Sequence, residues 1–432
     1  MKVLLKNCSI IDTIYDYKNS NDIMIEDGKI SEISRSIYSK ADKIVDIDGR
    51  VVVPGLIDMH CHLREPGFEY KETIKTGTLA AAKGGYTTVC CMPNTNPVID
   101  NIVDLENLKR IIKKDSVIDT IPIGAVTKNQ NGNETVDLKT MADYGVRLFS
   151  DDGNPIWNDL IMEECLNFSK KEDILIIDHC EDMGLTAGGV INEGEISREM
   201  NLKGISNLSE AKPIIRNIML AKKTNAPVHI AHVSTAESLE AIEEAKEKGI
   251  KVTCEVTPHH ISLSENDIVK DNTDFKVNPP LRSKEDVAAL QHGLRDGIID
   301  VIATDHAPHS GQDKAGDFYK AANGISGIEI AFSVCFTYLV RTGLLTLKEL
   351  LRLMSLNPSN LLKLNKGRIY IGGAADLAVI DLYKEFEVKK SDFVSKGKNT
   401  PFHGKNLWGE IIMTISGGNI VYEKGEVYGV YR

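Results

Sequence analysis

Eight short apolar runs, each followed by a stretch of helical character, recur along the middle of this chain and constrain its fold more than any other feature. They are Val51 to Met59, Thr87 to Met92, Thr120 to Val126, Gly145 to Phe149, Ile174 to Ile177, Val228 to Ala231, Lys251 to Val256 and Asp300 to Ala303. The helical stretches include Tyr70 to Lys83, Asn158 to Lys171, Ala211 to Lys223 and Ala236 to Lys248. Strands buried on both faces read as continuous apolar runs, and their alternation with helices is the pattern of a parallel sheet. Eight such units over roughly 300 residues predict a (β/α)8 barrel. A doubly wound open sheet is the competing architecture, but no Gly-rich phosphate turn follows the first strand.

The two ends have a different texture. Val3-Leu4-Leu5, Asp22 to Ile25 and Lys43 to Ile47 are strand-like, with turns at Asp27-Gly28 and Asp48-Gly49. Asp376 to Asp381, Glu410 to Ile415 and Asn419 to Tyr422 repeat that texture at the far end. The expected organisation is a small β-sandwich domain built from residues 1–52 and 365–432, attached to a barrel over residues 53–364. A chain of 432 residues suits one large barrel plus an accessory domain.

Charge and cysteine usage narrow the function. The net charge of -11 and the lack of a concentrated Lys/Arg tract argue against a nucleic-acid surface. No run approaches the ~18 apolar residues of a membrane helix, and Met1-Lys2-Val3-Leu4 leads into a strand instead of a signal peptide. The eight cysteines are scattered without a C-x-x-C pair, which predicts reduced, buried thiols in a cytoplasmic protein. Cys90 and Cys91 should point to opposite faces of their strand.

The polar residues fall where the strands end. His60 and His62 follow the first run. At spacing i, i+2 in an extended strand they present two imidazoles to one side. Arg64 continues on that side, and its planar fork suits a carboxylate. Asn94 follows the second run, Asp151-Asp152 the fourth, His179 the fifth and His232 the sixth. His259-His260 follow the seventh, Asn278 lies in the next loop, and Asp305, His306 and His309 follow the eighth. In a barrel these ends share one face, where the active site is built.

His60, His62, His179, His232, Asp152 and Asp305 suit a borderline cation such as zinc, and exceed what one tetrahedral ion needs. They point to a pair of ions about 3.5–4 Å apart with an anionic bridge. Asp152, in the middle of the barrel, is the candidate bridge. Its neighbour Asp151 faces away and should turn or cap its loop. His259, His260 and His306 are unassigned, with packing or surface roles expected. His229 reads as structural, and His292 and His403 as helix and loop residues.

At this point the motifs resemble a known family. Asp58-Met59-His60-Cys61-His62-Leu63-Arg64-Glu65-Pro66-Gly67 is similar to the signature of the bacterial-type dihydroorotases of the amidohydrolase superfamily. So are Gly84 to Val89, Met92 to Thr95, Asp151-Asp152-Gly153, His179 to Asp182, Ala231 to Ser234, Val277 to Arg282 and Thr304 to His309. The resemblance spans the whole chain. It implies hydrolytic opening of the cyclic amide of dihydroorotate, and the reverse closing of N-carbamoyl-aspartate, in pyrimidine synthesis. It implies two zinc ions: His60 and His62 with Asp305 at one, His179 and His232 at the other, and Asp152 between them.

Many superfamily members bridge with a carboxylated lysine, but Gly145 to Ser150 offers none. The resemblance further implies that activated water attacks the ring carbonyl while Asp305 passes a proton to the leaving nitrogen. Arg64, Asn94 and His309 would anchor the substrate carboxylate, with Asn278 nearby. A homodimer and a complex with aspartate transcarbamoylase are the implied partners, besides the small-molecule substrate. The chain departs from the family pattern at Gly204 to Glu210, and at Ala322 to Gly327 after His309. The alternatives are a related cyclic amidase acting on hydantoins, dihydropyrimidines or allantoin, and a non-catalytic partner of aspartate transcarbamoylase. Arg64 argues against uncharged rings, and the complete ligand set argues against the second.

Overall fold

The computed structural model describes residues 2–17, 20–424 and 426–427; the outermost residues assigned above to the terminal domain, Met1 and 428–432, lie outside them. Five strands open the chain: β1 (Lys2–Ile10), β2 (Asn21–Glu26), β3 (Lys29–Ser34), β4 (Lys43–Asp46) and β5 (Val51–Pro54). The middle contributes β6 (Leu56–Cys61), β7 (Tyr86–Cys91), β8 (Asp119–Pro122), β9 (Leu148–Ser150) and β10 (Leu175–Asp178). The short pair β11 (Ile191–Asn192) and β12 (Gly204–Ile205) follows, then β13 (Val228–Ile230), β14 (Val252–Val256) and β15 (Val301–Ile302). The chain closes with β16 (Leu377–Glu387), β17 (Asn406–Ser416), β18 (Asn419–Glu423) and β19 (Glu426–Val427).

All eight apolar runs form strands. β6, β7 and β8 pair in parallel in that order, and β9, β10, β13, β14 and β15 form a second parallel series. Parallel bridges join the two series at both ends, Gly124 with Phe149 and Cys61 with His306. Successive residues of a strand enter different cores, as a pleat requires. Cys90, Leu148 and Ile177 join Met59, Ala231 and Val301 in one cluster, whereas Cys91, Phe149 and Ile176 pack with the helices. The opposite orientation expected of Cys90 and Cys91 is therefore observed. All eight cysteines are buried and free. No helix among the described residues is long and apolar enough to cross a membrane.

The helices start where the caps dictate. Thr73 accepts a hydrogen bond from the Thr76 amide, so the first helix runs over Ile74–Lys83, not from Tyr70. Asn158 and Thr235 cap the helices Asp159–Glu172 and Ala236–Glu247 in the same way.

The ends of the chain share one nine-stranded sheet, in the order β19-β18-β17-β16-β5-β1-β2-β3 with β4 beside β1. Its core mixes Val3, Leu5, Ile23 and Ile25 from one end with Leu377, Val379, Met413 and Ile415 from the other. The first apolar run is divided here. Val51 to Pro54 pairs with β16, while Leu56 to Cys61 joins the parallel array. The break falls at Gly55, where a Cβ would stand 2.3 Å from Thr87 Oγ1. Only a glycine lets the backbone pass that close.

One buried ion pair braces the strand ends. Arg282 is 2 % exposed and donates to Ser234 Oγ (3.0 Å), Asn192 Oδ1 (3.1 Å) and Ile205 O (3.0 Å), with Glu210 Oε2 at 3.8 Å. Glu210 in turn accepts from the amides of Ser234 and Thr235, just beyond His232. Arg282→Met would leave Glu210 as a buried, uncompensated charge. The variant is expected to lose about 3–5 kcal/mol in urea unfolding; a loss below about 1 kcal/mol would show that the hydroxyls and amides alone hold this carboxylate.

Candidate metal centre

Six of the residues singled out above meet at the C-terminal ends of the parallel strands. His60 Nε2 lies 3.3 Å from Asp152 Oδ1 and 3.6 Å from Asp305 Oδ1. His62 Nε2 lies 3.0 Å from Asp305 Oδ1 and 3.4 Å from Asp152 Oδ2. The same Asp152 Oδ1 is approached by His232 Nε2 at 3.6 Å and by His179 Nδ1 at 3.8 Å. Asp152 thus approaches all four histidines, three through Oδ1 and His62 through Oδ2. Two overlapping groups, His60-Asp152-His232 and His60-His62-Asp305, each bring three ligand atoms within 4.8 Å of one another.

Elementary electrostatics says what this cluster lacks. Burial alone would raise the Asp152 carboxyl, but His60, His232 and His62 outweigh it and hold it well below the ordinary carboxylate range. Burial would lower His60, yet Asp152 and Glu255 draw it well above the usual imidazole range. Both shifts say that the cluster recruits positive charge. His60 Nε2 and Asp152 Oδ1 are also buried without a hydrogen-bond partner. Buried polar atoms left without partners in this way are costly unless a cation lies among them. The donor set fits a divalent metal site.

Arg64, Asn94, Asn278 and His309 line a cavity of about 200 Å³ whose floor is His62, Asp152, His179, His232 and Asp305. All ten expected site residues are therefore brought together, with His60 buried beneath the wall. Arg64 arrives by a different route from the one its spacing predicts. The strand ends at Cys61, and Arg64 adopts a left-handed φ of +61° in a turn, so strand alternation does not aim it. His232 (φ +31°) and Asp305 (φ +43°) share this uncommon backbone region. Non-glycine residues held there cost energy and cluster at functional sites.

Arg64 is half-buried, and the partial loss of water around its guanidinium depresses its basicity. Its Nε donates to Pro308 O (3.3 Å) and Nη2 lies 3.3 Å from His309 Nε2. It makes no ion pair with a carboxylate of the described residues. His309 is pushed down to about 2 by burial and by Arg64 and Lys71, so it is neutral at working pH. Its Nε2–H donates to Asn323 O at 2.8 Å.

Several contributors escape a reading based on strand-end histidines. Asn94 Oδ1 lies 3.0 Å from His62 Nδ1, so Asn94 also orients a ligand. Glu181 Oε2 is 3.0 Å from His179 Nε2 and accepts from Asn278 Nδ2 at 2.9 Å, tying a ligand to the cavity wall. The contact draws His179 up to about 9 despite burial. Asn323 and Gly324, in the loop set apart above, line the cavity. Gly324 has φ +143°, and a Cβ there would meet Ala307 at 2.7 Å. Asp151 accepts from the amides of Val126 and Thr127, the loop role its parity predicts. His306 is buried by Glu72 and Gly327, and His259 and His260 form a buried pair with rings 4.5 Å apart.

Comparison with known proteins agrees with this centre. The dihydro-orotase-like family matches residues 49–238, and the amidohydrolase family matches residues 206–422. Among solved structures, an L-hydantoinase (dihydropyrimidinase) from Arthrobacter aurescens superimposes with a TM-score of 0.88 at 27% identity, covering 99% of this chain and 97% of that one. A D-hydantoinase gives 0.87 at 25% identity, covering 99% and 97%. The dihydroorotase of Caldanaerobacter subterraneus is 46% identical over 428 residues, 99% of each chain. That of a Thermoanaerobacter species is 48% identical over 424 residues, 98% of each. With identity at that level over nearly the full length, a fold shared with the hydantoinases and a buried His/Asp centre, the chain belongs to the dihydroorotase family.

Proposed function

We propose that this chain is a cyclic amidohydrolase of pyrimidine biosynthesis, a dihydroorotase that interconverts dihydroorotate and N-carbamoyl-aspartate. The observation that carries the substrate is Arg64: a half-buried guanidinium on the cavity wall, unpaired with any carboxylate of the described residues, beside the His/Asp centre. Such a group calls for an anionic ligand. Dihydroorotate brings a ring carboxylate; hydantoins and dihydropyrimidines lacking one leave the cation unpaired.

The eight parallel strands and their two bridges support a (β/α)8 barrel that is entered at Leu56, just past the expected boundary at 53, and ends near 364. The single sheet shared by the two chain ends, which takes in Val53 and Pro54, supports the accessory β domain. His60, His62 and Asp305 are assigned to one zinc ion, His179 and His232 to a second, and Asp152 to both. When bound, the ions lower the pKa of water toward ~7 and polarise the amide carbonyl. The chain's own residues do the rest. Arg64 clamps the carboxylate, with Asn94 and Asn278 lining the pocket and the neutral His309 packed beside the guanidinium, and so fixes the ring over Asp305. Asp305, held ionised by His62 and its neighbours against burial, takes the proton of the attacking water and returns it to the leaving nitrogen. On the motif resemblance alone, we also propose a cytoplasmic location, a homodimer and a complex with aspartate transcarbamoylase.

Two measurements test this reading. The purified, zinc-loaded chain is expected to consume dihydroorotate, followed by loss of its amide absorbance, and to leave dihydrouracil and hydantoin nearly untouched. No turnover of dihydroorotate, or equal turnover of the uncharged rings, overturns it. Asp152→Asn is expected to lose bound zinc by elemental analysis, and full occupancy would remove its bridging role.

A further inference from the structure

Behind the metal centre lies a polar network that the reaction does not use. Glu255 is on β14, 0 % exposed, inside the parallel array. Its Oε1 lies 2.6 Å from His60 Nδ1 and its Oε2 3.3 Å from His229 Nε2. The far side of His229 meets Thr253 Oγ1 at 2.8 Å, and His229 and Thr253 are register partners on adjacent strands. His60 and His229 are also 0 % exposed. Three strands, β6, β13 and β14, thus supply one chain of side chains that ends on a ligand.

The hydrogen-bond directions are fixed by what each group can do. An ionised carboxylate only accepts, so His60 Nδ1 and His229 Nε2 both carry their protons toward Glu255. His229 Nδ1 is then the acceptor for the Thr253 hydroxyl. With Nδ1–H held toward Glu255, Nε2 is the His60 atom that would be offered to a metal ion, and it faces Asp152 and Asp305 without a hydrogen-bond partner. We propose that Glu255 is a positioning residue that locks His60 as an Nε2 ligand of the metal centre, and that His229 locks Glu255 in place. The carboxylate also makes the imidazole a stronger donor, and its two oxygens are matched by two N–H groups, so neither is left unsatisfied. The inference rests on the metal reading above.

The test is zinc affinity of the full chain, measured by chelator competition, which needs no substrate. Glu255→Gln keeps the volume but turns one carboxylate oxygen into an N–H donor that meets another donor. It is expected to weaken zinc binding by about 10- to 100-fold. Should that variant fail to fold, position 229 decides. His229→Gln retains a side-chain N–H toward Glu255 and should hold zinc near the wild-type affinity, whereas His229→Leu should lose about tenfold. A purely packing role would not separate those two variants. If the wild type binds zinc and neither Glu255→Gln nor His229→Leu weakens it, or if leucine and glutamine at 229 behave alike, the positioning role is overturned. A wild type that binds no divalent metal instead overturns the metal reading itself.

Discussion

Asp305→Asn is expected to lower kcat for dihydroorotate by about 10²- to 10⁴-fold, the range spanned by a positioned general acid–base. The substitution changes almost no volume, and the amide oxygen can still face His62 Nε2, which lies 3.0 Å from Asp305 Oδ1. What it removes is a group able to take a proton at one step and give it back at the next. The loss should appear in kcat in both directions of the reaction, with KM little changed. Zinc content must be measured beside it, because Asp305 also belongs to the His60-His62 group. A variant that kept its zinc and retained kcat within about threefold would assign proton transfer elsewhere.

Arg64→Met is the second large effect. Removing one partner of a buried, hydrogen-bonded charge pair costs about 2–5 kcal/mol, so kcat/KM for dihydroorotate should fall about 30- to several thousand-fold. The methionine fills the stem of the pocket but offers no donor to a carboxylate. Because the clamp is distant from the bond that breaks, part of the loss should fall on KM and part on kcat, through misplacement of the ring. The same variant is expected to narrow the gap between dihydroorotate and dihydrouracil. An unchanged KM would show that Arg64 does not read the carboxylate and that other groups of the wall, such as Asn278, suffice.

Much of the centre was legible because polarity and strand boundaries coincide. Most of the inward apolar runs stop at a histidine or aspartate, and in parallel strands all the stops lie on one face. That logic reaches His60, His179, His232 and Asp305 directly, and all eight strands are where the runs place them. It fails where a residue is aimed by something other than strand parity. Arg64 lies beyond the end of β6 and is turned by a left-handed backbone that alternation does not foresee. The split at Gly55 depends on Thr87, a distant residue pressed against it.

Glu255 is a different failure. It sits in Val252-Thr253-Cys254-Glu255-Val256, where a lone acid resembles ordinary in-out alternation. The available signal was physical: a carboxylate in a run buried on both faces has no route to water, and must have a cation or donors waiting. His229, which reads as merely structural, is one of those donors. Glu181 stands two residues past His179, where a carboxylate could as well be a ligand, and Asn323 lies in the long loop after β15, so only their neighbours reveal what they do.

The terminal sheet imposes an order on how the molecule can be made. β5 runs along β1 on one side and along β16 on the other, Val51 to Pro54 against Leu377 to Ile380. During synthesis β1 to β5 emerge first, yet an edge of β5 has no pairing strand until nearly the whole chain has been translated. That edge offers unpaired amides and carbonyls, and Val51, Val52 and Val53 are all apolar. Contacts so distant in sequence form slowly. The nascent chain therefore carries its most adhesive segment for longest, directly before the strand that bears His60 and His62. Conditions that stall translation past residue 364 should then yield aggregates rooted in the first strands, while the parallel array beyond Gly55 already holds its own pairing partners.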